Sequence, residues 1–332
     1  MKTQLLSLLL CIFLFSCSST KPQLQSYDFT EKHMGTDFRI ILYANNAEEA
    51  QYAAKKAFER IKNIDQSCSD YIAESELNKL SRTHDEWIPI SDDLWNVLSY
   101  AQKLAEQSQG AFDITCGPLS LQWRLARFRK KLPSQTILKR ALTRVGYNKL
   151  TLKPETQSVK LSHLGMKLDL GALAKGYAAD QALLKLKTLG IQYVLIDASG
   201  DMLMTDHPSS YWKVHINDSN QSKASSYVKL QAGAIATSGD AIQNLSLAET
   251  KYSHIIDPRS GQALTQSERV TIISKTAMQA DALASVSSVL KHSKAIPFLK
   301  QFDHAKAAFY DGKTTHLTHN FPSLYKTETS YD

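Results

Sequence analysis

An aspartate stands inside an otherwise apolar stretch, AMQADALASVSSVL, which covers residues 277–290 and has the spacing of a helix. A buried carboxylate is costly unless it is paired with a cation or bound to a metal. Ser285 follows Asp281 by four residues, so both side-chain oxygens lie on one helix face. Oxygen ligands suit a hard cation. The alternative is an exposed or ion-paired aspartate, with a serine that bonds to its own helix backbone.

A second polar motif, KLDLGALAKGYAAD, covers residues 167–180. Its first four residues are expected to form a strand that runs into a helix ending at about Leu189, and a helix N-terminus attracts anions. Lys175 lies in the first turns of this helix, where its ammonium group can meet a phosphate. Gly171 and Gly176 have P-loop spacing, but Tyr-Ala replaces the Lys-Ser/Thr pair, which excludes a nucleoside triphosphatase of that type. The alternative is that the glycines allow close packing of the helix on a sheet.

A third motif, YSHIIDPRSG, covers residues 252–261 and carries a histidine in an apolar run that ends in a strong turn signal. We expect a strand over 254–256 that leads into this turn. His254 has the side chain of a general base that works near neutral pH. The alternative is a hydrogen-bonded histidine of the core. Three further histidines lack Cys or carboxylate neighbours at metal-ligand spacing and are expected on a surface hairpin: His304, His316 and His319.

Other chemical signatures are weak or missing. The stretch GAIATSGD, residues 233–240, has small residues that allow a ligand to approach the backbone, and Asp240 is a helix-cap candidate. The sequence contains no GxSxG, CxxC or HExxH motif. The basic stretch 124–131 is expected to be the solvated face of a helix, not a nucleic-acid or headgroup site.

The elements that must position these motifs mix strands and helices without a regular βαβ rhythm, which favours an α+β fold. Residues 91–93, Ser-Asp-Asp, form a capping signal for a helix. Helices are expected at 47–64, 92–107, 137–144, 277–290 and 296–302. Strands are expected at 38–43, 150–152, 159–161, 193–196, 212–216, 227–230, 234–237 and 270–273, with a short strand within 110–119 and a hairpin about 311–312.

The chain of 332 residues, with 43% hydrophobic residues and a net charge of +7, is long enough for one large domain or two lobes. Its N-terminus has a lysine, an apolar run over 5–15 and then Ser-Cys at 16–17, which is typical of a bacterial lipoprotein signal. We expect a signal peptide over 1–16, a lipidated tether from Cys17 over 17–27 and a periplasmic domain over 28–332, held at the inner or outer membrane. The alternative is an ordinary signal peptide cut nearby.

Seven motifs in order resemble the ApbE family of FAD:protein FMN transferases. They are HMGTDF, SDYIAESEL, FDITCGPL, DLGALAKGYAAD, ATSGD, YSHIIDPRSG and ADALAS, and the resemblance covers about residues 34–290. The resemblance implies an α+β fold of two lobes with FAD in the cleft between them. It also implies Mg²⁺-dependent transfer of FMN from FAD onto a Thr or Ser hydroxyl of a partner protein, with release of AMP. The implied partners are flavoprotein subunits of membrane redox complexes, such as sodium-pumping quinone reductase, and no nucleic acid.

The resemblance also implies which residues form the site. The metal ligands would be the carbonyl of Ala172, Asp281 and Ser285, where Ser285 replaces the more usual Thr and loses the methyl group that fixes its rotamer. The expected FAD contacts are Met34, Tyr71, Ala111, Phe112, Asp113, Asp169, Lys175 and Ile255. Our hypothesis for the base that activates the acceptor hydroxyl is His254. This creates a conflict, because consecutive residues of a strand point to opposite faces, whereas both His254 and Ile255 should face the site.

Three further hypotheses stay open at this stage. Cys68 and Cys116 lie close in sequence to Tyr71 and Asp113, so the two thiols could form a disulfide. An FAD pyrophosphatase would pass FMN to water in place of a protein hydroxyl. A flavin-binding lipoprotein without catalytic activity would bind FAD and not need the aspartate inside the apolar helix.

Overall fold

The computed structural model describes residues 24–216, 226–239, 244–247, 249–265 and 268–326. Cys17 and Asp240 lie outside these residues. The helices are α1 (Ala47–Cys68), α2 (Glu76–Leu80), α3 (Asp92–Gln107), α4 (Gly117–Arg129), α5 (Gln135–Leu142), α6 (Ala174–Thr188) and α7 (Ala277–Leu299). The strands are β1 (Gln25–His33), β2 (Thr36–Ala44), β3 (Ile88–Pro89), β4 (Leu150–Lys153), β5 (Ser158–Leu161), β6 (Val194–Ala198), β7 (Asp201–Met204), β8 (Trp212–Ile216), β9 (Ser226–Leu230), β10 (Gly233–Ser238), β11 (Asn244–Leu247), β12 (Thr250–Ser253), β13 (Ile256–Asp257), β14 (Gln262–Ala263), β15 (Arg269–Ser274), β16 (Lys306–Tyr310), β17 (Thr315–Leu317) and β18 (Tyr325–Lys326).

An eight-stranded sheet forms the centre of the fold, in the order β1-β2-β6-β7-β10-β15-β16-β17. Every neighbouring pair in this sheet is antiparallel. Alternation along β2 shows how one strand serves two faces: Phe38, Ile40 and Leu42 belong to the main core, whereas Ile41 and Tyr43 pack on the opposite face. The mixture of helices with antiparallel sheets confirms the α+β fold.

Helices α1, α6 and α7 cover one face of the large sheet and form the main core with it. The small sheet β8-β9-β18 packs over the other face through Trp212, Val214 and Val228. A separate apolar cluster joins α4 and α5 to β11 and β14, with Leu119, Trp123 and Leu245 among its buried members. The candidate site residues lie on the helices and loops between the main core and this smaller cluster.

Most predicted elements are confirmed to within a few residues, and their local signals explain them. Ser91 caps α3 by accepting a hydrogen bond from the backbone N–H of Leu94. Strands β4 and β5 pair as expected from their alternation. Helix α7 is broken at Lys291, whose φ of 60° and ψ of 159° are not helical, so the predicted helix end at Leu290 is confirmed. A hairpin joins β16 to β17.

Three predicted strands are wrong, and β1 was not predicted. Residues 110–119 form a turn and the start of α4, and of residues 167–170 only Lys167 makes a single bridge, to Cys116. The strand predicted over 254–256 is interrupted, because β12 ends at Ser253 and β13 begins at Ile256. Strand β1 begins at Gln25, inside the segment expected to be a tether, and it has few buried residues because it lies at the edge of the sheet. A polar edge strand lacks the apolar alternation that a sequence pattern detects.

Candidate functional site

Two charged groups of side chains lie at the candidate site, and one of them carries an exposed aromatic ring beside a cavity. We call Lys175, Asp201 and Asp281 the closed cluster. The Lys175 ammonium nitrogen lies 3.4 Å from Asp281 Oδ2 and 3.6 Å from Asp201 Oδ2. The side chains of the two aspartates are only 9% and 14% exposed, respectively for Asp281 and Asp201. One ammonium group therefore faces two largely buried carboxylates.

Burial and like charge set the protonation of the closed cluster. Burial alone would lower the pKa of Lys175, but Asp281 and Asp201 outweigh this effect and raise it. Burial raises the pKa of Asp281, against the opposing effect of Lys175. Burial, with the neighbouring charge of Asp281, raises the pKa of Asp201 to about 7. Two carboxylates face one ammonium group, so the cluster is net negative when both carboxylates are ionised, and a further cation would favour that ionised form.

Helices α6 and α7 meet backbone to backbone, and this contact places Asp281 beside Lys175. The Asp180 carboxylate accepts hydrogen bonds from the backbone N–H groups of Ala277 and Met278, at 2.8 and 3.0 Å, and so caps α7 from the neighbouring helix. A Cβ atom at Gly176 would lie 2.3 Å from the Ala277 carbonyl oxygen. Only glycine fits there, so Gly176 serves close packing, here against a helix terminus instead of a sheet.

The proposed metal ligands offer only oxygen atoms. Helix α6 begins at Ala174, three residues later than Gly171, so Ala172 lies in the preceding turn. In a regular helix the N–H of Gly176 would bond to the Ala172 carbonyl. Here no hydrogen bond joins these two groups, and the Gly176 N–H acts instead on the nearby Asp281 carboxylate, whose pKa burial raises and this N–H lowers. Ser285 lies one turn beyond Asp281 on α7. A carbonyl, a carboxylate and a hydroxyl together fit a hard cation such as Mg²⁺.

No group of three His, Cys, Asp or Glu side chains that could hold a metal ion occurs among the described residues. Zinc-type sites need such a group of side chains, whereas a magnesium site uses fewer protein ligands and shares substrate phosphates. The donors around Asp281 are all oxygen atoms, which hard cations prefer.

We call Asp70, Tyr71, Arg124 and Asp169 the open cluster. Arg124 donates to Asp70, and its Nη2 donates to Asp169 Oδ2 at 3.0 Å. The guanidinium carbon lies 4.6 Å from the centroid of the Tyr71 ring, which is a cation–π contact. Tyr71 is 74% exposed and, with Asp70, lines a cavity of about 480 Å³. A volume of this order is typical of a small-molecule site.

Gly171 connects the two clusters through its backbone. Its N–H donates to Asp169 Oδ1 at 2.9 Å, and its carbonyl oxygen accepts a hydrogen bond from the Lys175 ammonium group at 3.2 Å. Gly171 thus joins the open cluster, which carries the exposed Tyr71 ring, to the closed cluster. A ligand with an aromatic ring and a phosphate chain could contact both.

The AFD segment, Ala111 to Asp113, is buried, and Asp113 accepts hydrogen bonds from the Thr115 backbone and hydroxyl at 2.8 and 2.6 Å. Burial raises the pKa of Asp113, and these hydrogen bonds oppose that effect. The carbonyl of Ile114 accepts the Asp169 N–H at 2.8 Å, which ties this segment to the open cluster. Asp113 therefore also shapes its own loop.

The turn after His254 packs against α4 and the AFD segment. Asp257 accepts the backbone N–H of Arg259 and pairs with its side chain at 2.9 Å. The Gly261 carbonyl accepts the Trp123 indole N–H at 3.0 Å, and the Arg259 side chain lies against Gly110. These contacts fix the turn on α4 and beside the AFD segment.

His254 is half-buried, and it lies between two residues, Ser253 and Ile255, that both form backbone hydrogen bonds with Leu264. Leu264 accepts the N–H of Ser253 at 2.7 Å and donates to the Ile255 carbonyl at 2.9 Å, so the two bonds flank His254. The Ser253 hydroxyl also accepts the Ile255 N–H at 3.1 Å. This is the arrangement of a β-bulge, which re-aims side chains. Strict alternation does not hold here, so the reason to expect His254 and Ile255 on opposite faces no longer applies.

The remaining expected residues are placed as follows. Met34 lies in the turn between β1 and β2 with a φ of 51°, and its N–H donates to Asp65 at 3.0 Å. Cys68 and Cys116 are both free thiols, so the hypothesis of a disulfide is wrong, and burial raises the pKa of each. His316 stacks on His292 with ring centroids 4.0 Å apart, on the strand after the predicted hairpin.

The sequence patterns missed Asp70, Arg124, Asp180 and Asp201. Arg124 was assigned to a solvated helix face, and that is wrong for this residue, because it lies between two carboxylates. Asp201 follows Ser199 and Gly200, both with positive φ, and such a tight turn after a buried strand is a signal that could have directed attention to it.

Comparison with known proteins gives one consistent family. A family model described as the ApbE family matches residues 34–309. An FAD:protein FMN transferase of Treponema pallidum is 28% identical over 326 residues, covering 92% of this chain and 90% of the relative. The enzyme of the same name in Escherichia coli K12 is 26% identical and covers 88% of each chain. The crystal structure of the Thermotoga maritima ApbE protein matches with a TM-score of 0.80 at 26% identity, over 89% of this chain and 97% of that one.

Proposed function

Because the chain belongs to the ApbE family and is an enzyme of the FAD:protein FMN transferase type, we propose that it transfers the FMN moiety of FAD to a Thr or Ser hydroxyl of an acceptor flavoprotein, with Mg²⁺ as cofactor and AMP as the released product. The observation that carries this proposal is the link through Gly171 between an exposed ring beside a cavity and a buried, carboxylate-rich cluster. FAD has matching parts, an aromatic ring system at each end and a pyrophosphate between them.

The residues around Asp281 fit a magnesium ion. The carbonyl of Ala172, the carboxylate of Asp281 and the hydroxyl of Ser285 would hold it. When bound, it offsets the negative charge on the phosphate oxygens as the pyrophosphate splits. Lys175 contributes a fixed positive charge at the same place, and its contacts with Asp281 and Asp201 keep it protonated.

The bonds that form and break follow from the products. The acceptor oxygen attacks the phosphorus atom on the FMN side of the pyrophosphate, the bond from that phosphorus to the bridging oxygen breaks, and AMP leaves with that oxygen. In this proposal the proton of the attacking hydroxyl passes to His254, the proposed general base. The proposed contacts that bind FAD are Met34, Tyr71, Ala111, Phe112, Asp113, Asp169, Lys175 and Ile255.

Mass spectrometry of an acceptor protein tests the reaction. The enzyme is incubated with FAD, Mg²⁺ and a flavoprotein subunit of a membrane redox complex such as sodium-pumping quinone reductase. We expect the acceptor to gain one FMN on a Thr or Ser and AMP to accumulate in equal amount. Free FMN with an unmodified acceptor would indicate a pyrophosphatase instead, and FAD binding without AMP would indicate a flavin-binding protein without catalytic activity.

Substitution of the proposed base tests the mechanism. His254→Asn should reduce transfer by about 10²–10⁴-fold, the usual contribution of a general base, whereas FAD should still bind. His304→Ala is the control, because His304 is exposed, follows α7 in the sequence and carries no proposed role. Normal transfer by His254→Asn would contradict the assignment.

We also propose that Cys17 is lipidated and that this anchor holds the enzyme at the periplasmic face of a bacterial membrane, near its acceptor. Among the described residues, no helix has the length and apolarity needed to cross a bilayer. Attachment through acyl chains supports stable anchoring without such a helix. Cys17→Ser should move the protein from the membrane fraction to the periplasmic extract, and a mutant that stays with the membrane would contradict the anchor.

A further inference from the structure

Arg124 occupies an unusual position for a residue in the basic stretch 124–131. The neighbouring Arg129, Lys130 and Lys131 are exposed, whereas the Arg124 side chain is 28% exposed and makes three contacts at once. It donates to Asp70 and to Asp169, and its guanidinium carbon lies 4.6 Å from the Tyr71 ring centroid. A fork of planar donors can hold two carboxylates and still stack on a ring, which an ammonium group cannot.

The two carboxylates that Arg124 joins would otherwise repel each other. The side chain of Asp70 is 7% exposed and that of Asp169 is 13% exposed. Burial raises the pKa of Asp70, and the nearby Asp169 charge adds to this effect, whereas Arg124 opposes it. Asp169 in turn accepts the Gly171 N–H. The position of Asp169, and through Gly171 the link to Lys175, therefore depends on Arg124.

The contact with Tyr71 has a different consequence, because this side chain is otherwise open to solvent. A tyrosine that is 74% exposed samples several rotamers unless something holds its ring. The guanidinium group holds one part of the ring surface and leaves the rest facing the cavity of about 480 Å³. A ring that is already ordered costs less entropy to bind against.

We propose that Arg124 is a positioning residue of the flavin substrate site, which holds the Tyr71 ring and the Asp169 carboxylate in their binding arrangement. It acts on the substrate through these two residues. The inference rests on the proposed function, because it takes Tyr71 and Asp169 as FAD contacts.

The test uses two substitutions that differ in what they keep. Arg124→Lys keeps the positive charge between Asp70 and Asp169 but loses the planar fork, so the protein should still fold. Arg124→Met removes the charge and keeps much of the side-chain length. Arg129→Ala, an exposed residue of the same helix, is the matched control. The readouts are the thermal unfolding midpoint, the Kd for FAD from quenching of flavin fluorescence, and kcat and KM for FAD with an acceptor.

For Arg124→Lys we expect the KM and Kd for FAD to rise about tenfold while kcat stays within about twofold, since the chemistry lies in the other cluster. Arg129→Ala should match the wild type. Should Arg124→Met fail to fold, Arg124→Lys alone decides the question. Unchanged KM and Kd in a folded Arg124→Lys protein would overturn the proposal, and so would a loss confined to kcat.

A double-mutant cycle shows whether Arg124 acts through Tyr71. In a Tyr71→Ala background, Arg124→Lys should raise the Kd for FAD by less than about threefold, because the ring that it positions is gone. An undiminished effect would overturn action through the ring. The Kd is measured without an acceptor, so this result does not depend on the transfer reaction. Failure of the proposed function would appear differently, as a wild-type protein that binds FAD and leaves every acceptor unmodified.

Discussion

The closed and open clusters lie on either side of Gly171 and contain similar side chains in different surroundings. Each has two aspartates and one strong cation. The carboxylates of the two clusters are similarly buried, at 9% and 14% exposure in the closed cluster and 7% and 13% in the open one. In the open cluster, the same charge balance lies beside a cavity and carries an exposed tyrosine ring. The comparison teaches that the neighbouring ring and cavity, more than the buried charges themselves, distinguish the two clusters.

The largest expected effect comes from the closed cluster. Asp281→Asn removes the proposed metal carboxylate and keeps the side-chain volume, so transfer should fall by at least about 10³-fold. The Kd for FAD measured without Mg²⁺ should change little, which fluorescence titration checks. Asp303→Asn, an exposed aspartate after α7, is the control. Full activity with normal Mg²⁺ dependence in Asp281→Asn would remove the functional contrast between the clusters.

The open cluster should show the opposite pattern. Tyr71→Ala should raise the KM for FAD by about 5–30-fold with kcat nearly unchanged, because stacking on an aromatic ring contributes about 1–2 kcal/mol. Trp87→Ala is a suitable control, since Trp87 is also an exposed aromatic residue with cation–π neighbours, Lys153 and Lys160, but does not line the cavity. A fall in kcat without a change in KM would show that both clusters take part in the chemical step.

The pH dependence of Mg²⁺ affinity sharpens the contrast further. The pKa of Asp201 is raised to about 7, so this carboxylate is protonated at lower pH and ionised at higher pH. Protonation competes with a cation, and the Mg²⁺ affinity should therefore rise as pH increases, by up to about tenfold per unit below the pKa for one proton released. Isothermal titration between pH 6 and 8 measures this slope. In Asp201→Asn the slope should flatten, whereas it should persist in Asp206→Asn, an exposed neighbour.

The smallest expected effect concerns Ser285. Ser285→Thr keeps the hydroxyl group and adds the methyl group that restricts its rotamers, which should strengthen Mg²⁺ binding by about two- to fivefold. Mg²⁺ titration of the transfer rate checks this change. If Ser285→Thr bound Mg²⁺ more weakly than the wild type, the hydroxyl would not be a ligand or the methyl group would not fit.

Sequence patterns predicted the parts of the fold that local physics determines. The capped start of α3, the end of the first segment of α7 at Leu290 and the pairing of β4 with β5 all follow from signals within a few residues. The carboxylate inside α7 also marked Asp281 as unusual, and the structure places it beside Lys175 from the other singled-out helix. The motif order supplied the family, which the comparisons confirm.

The rest depended on contacts between segments far apart in the sequence. Arg124 lies 54 residues from Asp70 and 45 from Asp169, so a basic stretch alone could not show that one of its members is ion-paired. The same holds for Asp201, which meets Lys175 only after β7 joins the sheet. The bulge at His254 arises from pairing with Leu264, and the apolar run around the histidine favoured a regular strand. Local propensity cannot describe such features, because tertiary pairing sets them.

The close contact at Gly176 gives the closed cluster a spectroscopic property. Its amide group lies near enough to the Asp281 carboxylate to lower the pKa of that group against the effect of burial, and no side chain at this position can shield the amide. Any change in what that carboxylate binds must alter the chemical environment of one backbone amide. Glycine amides usually occupy their own region of a proton–nitrogen correlation spectrum. The residue that lets two helices touch should therefore act as a built-in NMR probe of cation occupancy at the proposed Mg²⁺ site, since Mg²⁺ has no colour and no unpaired electron.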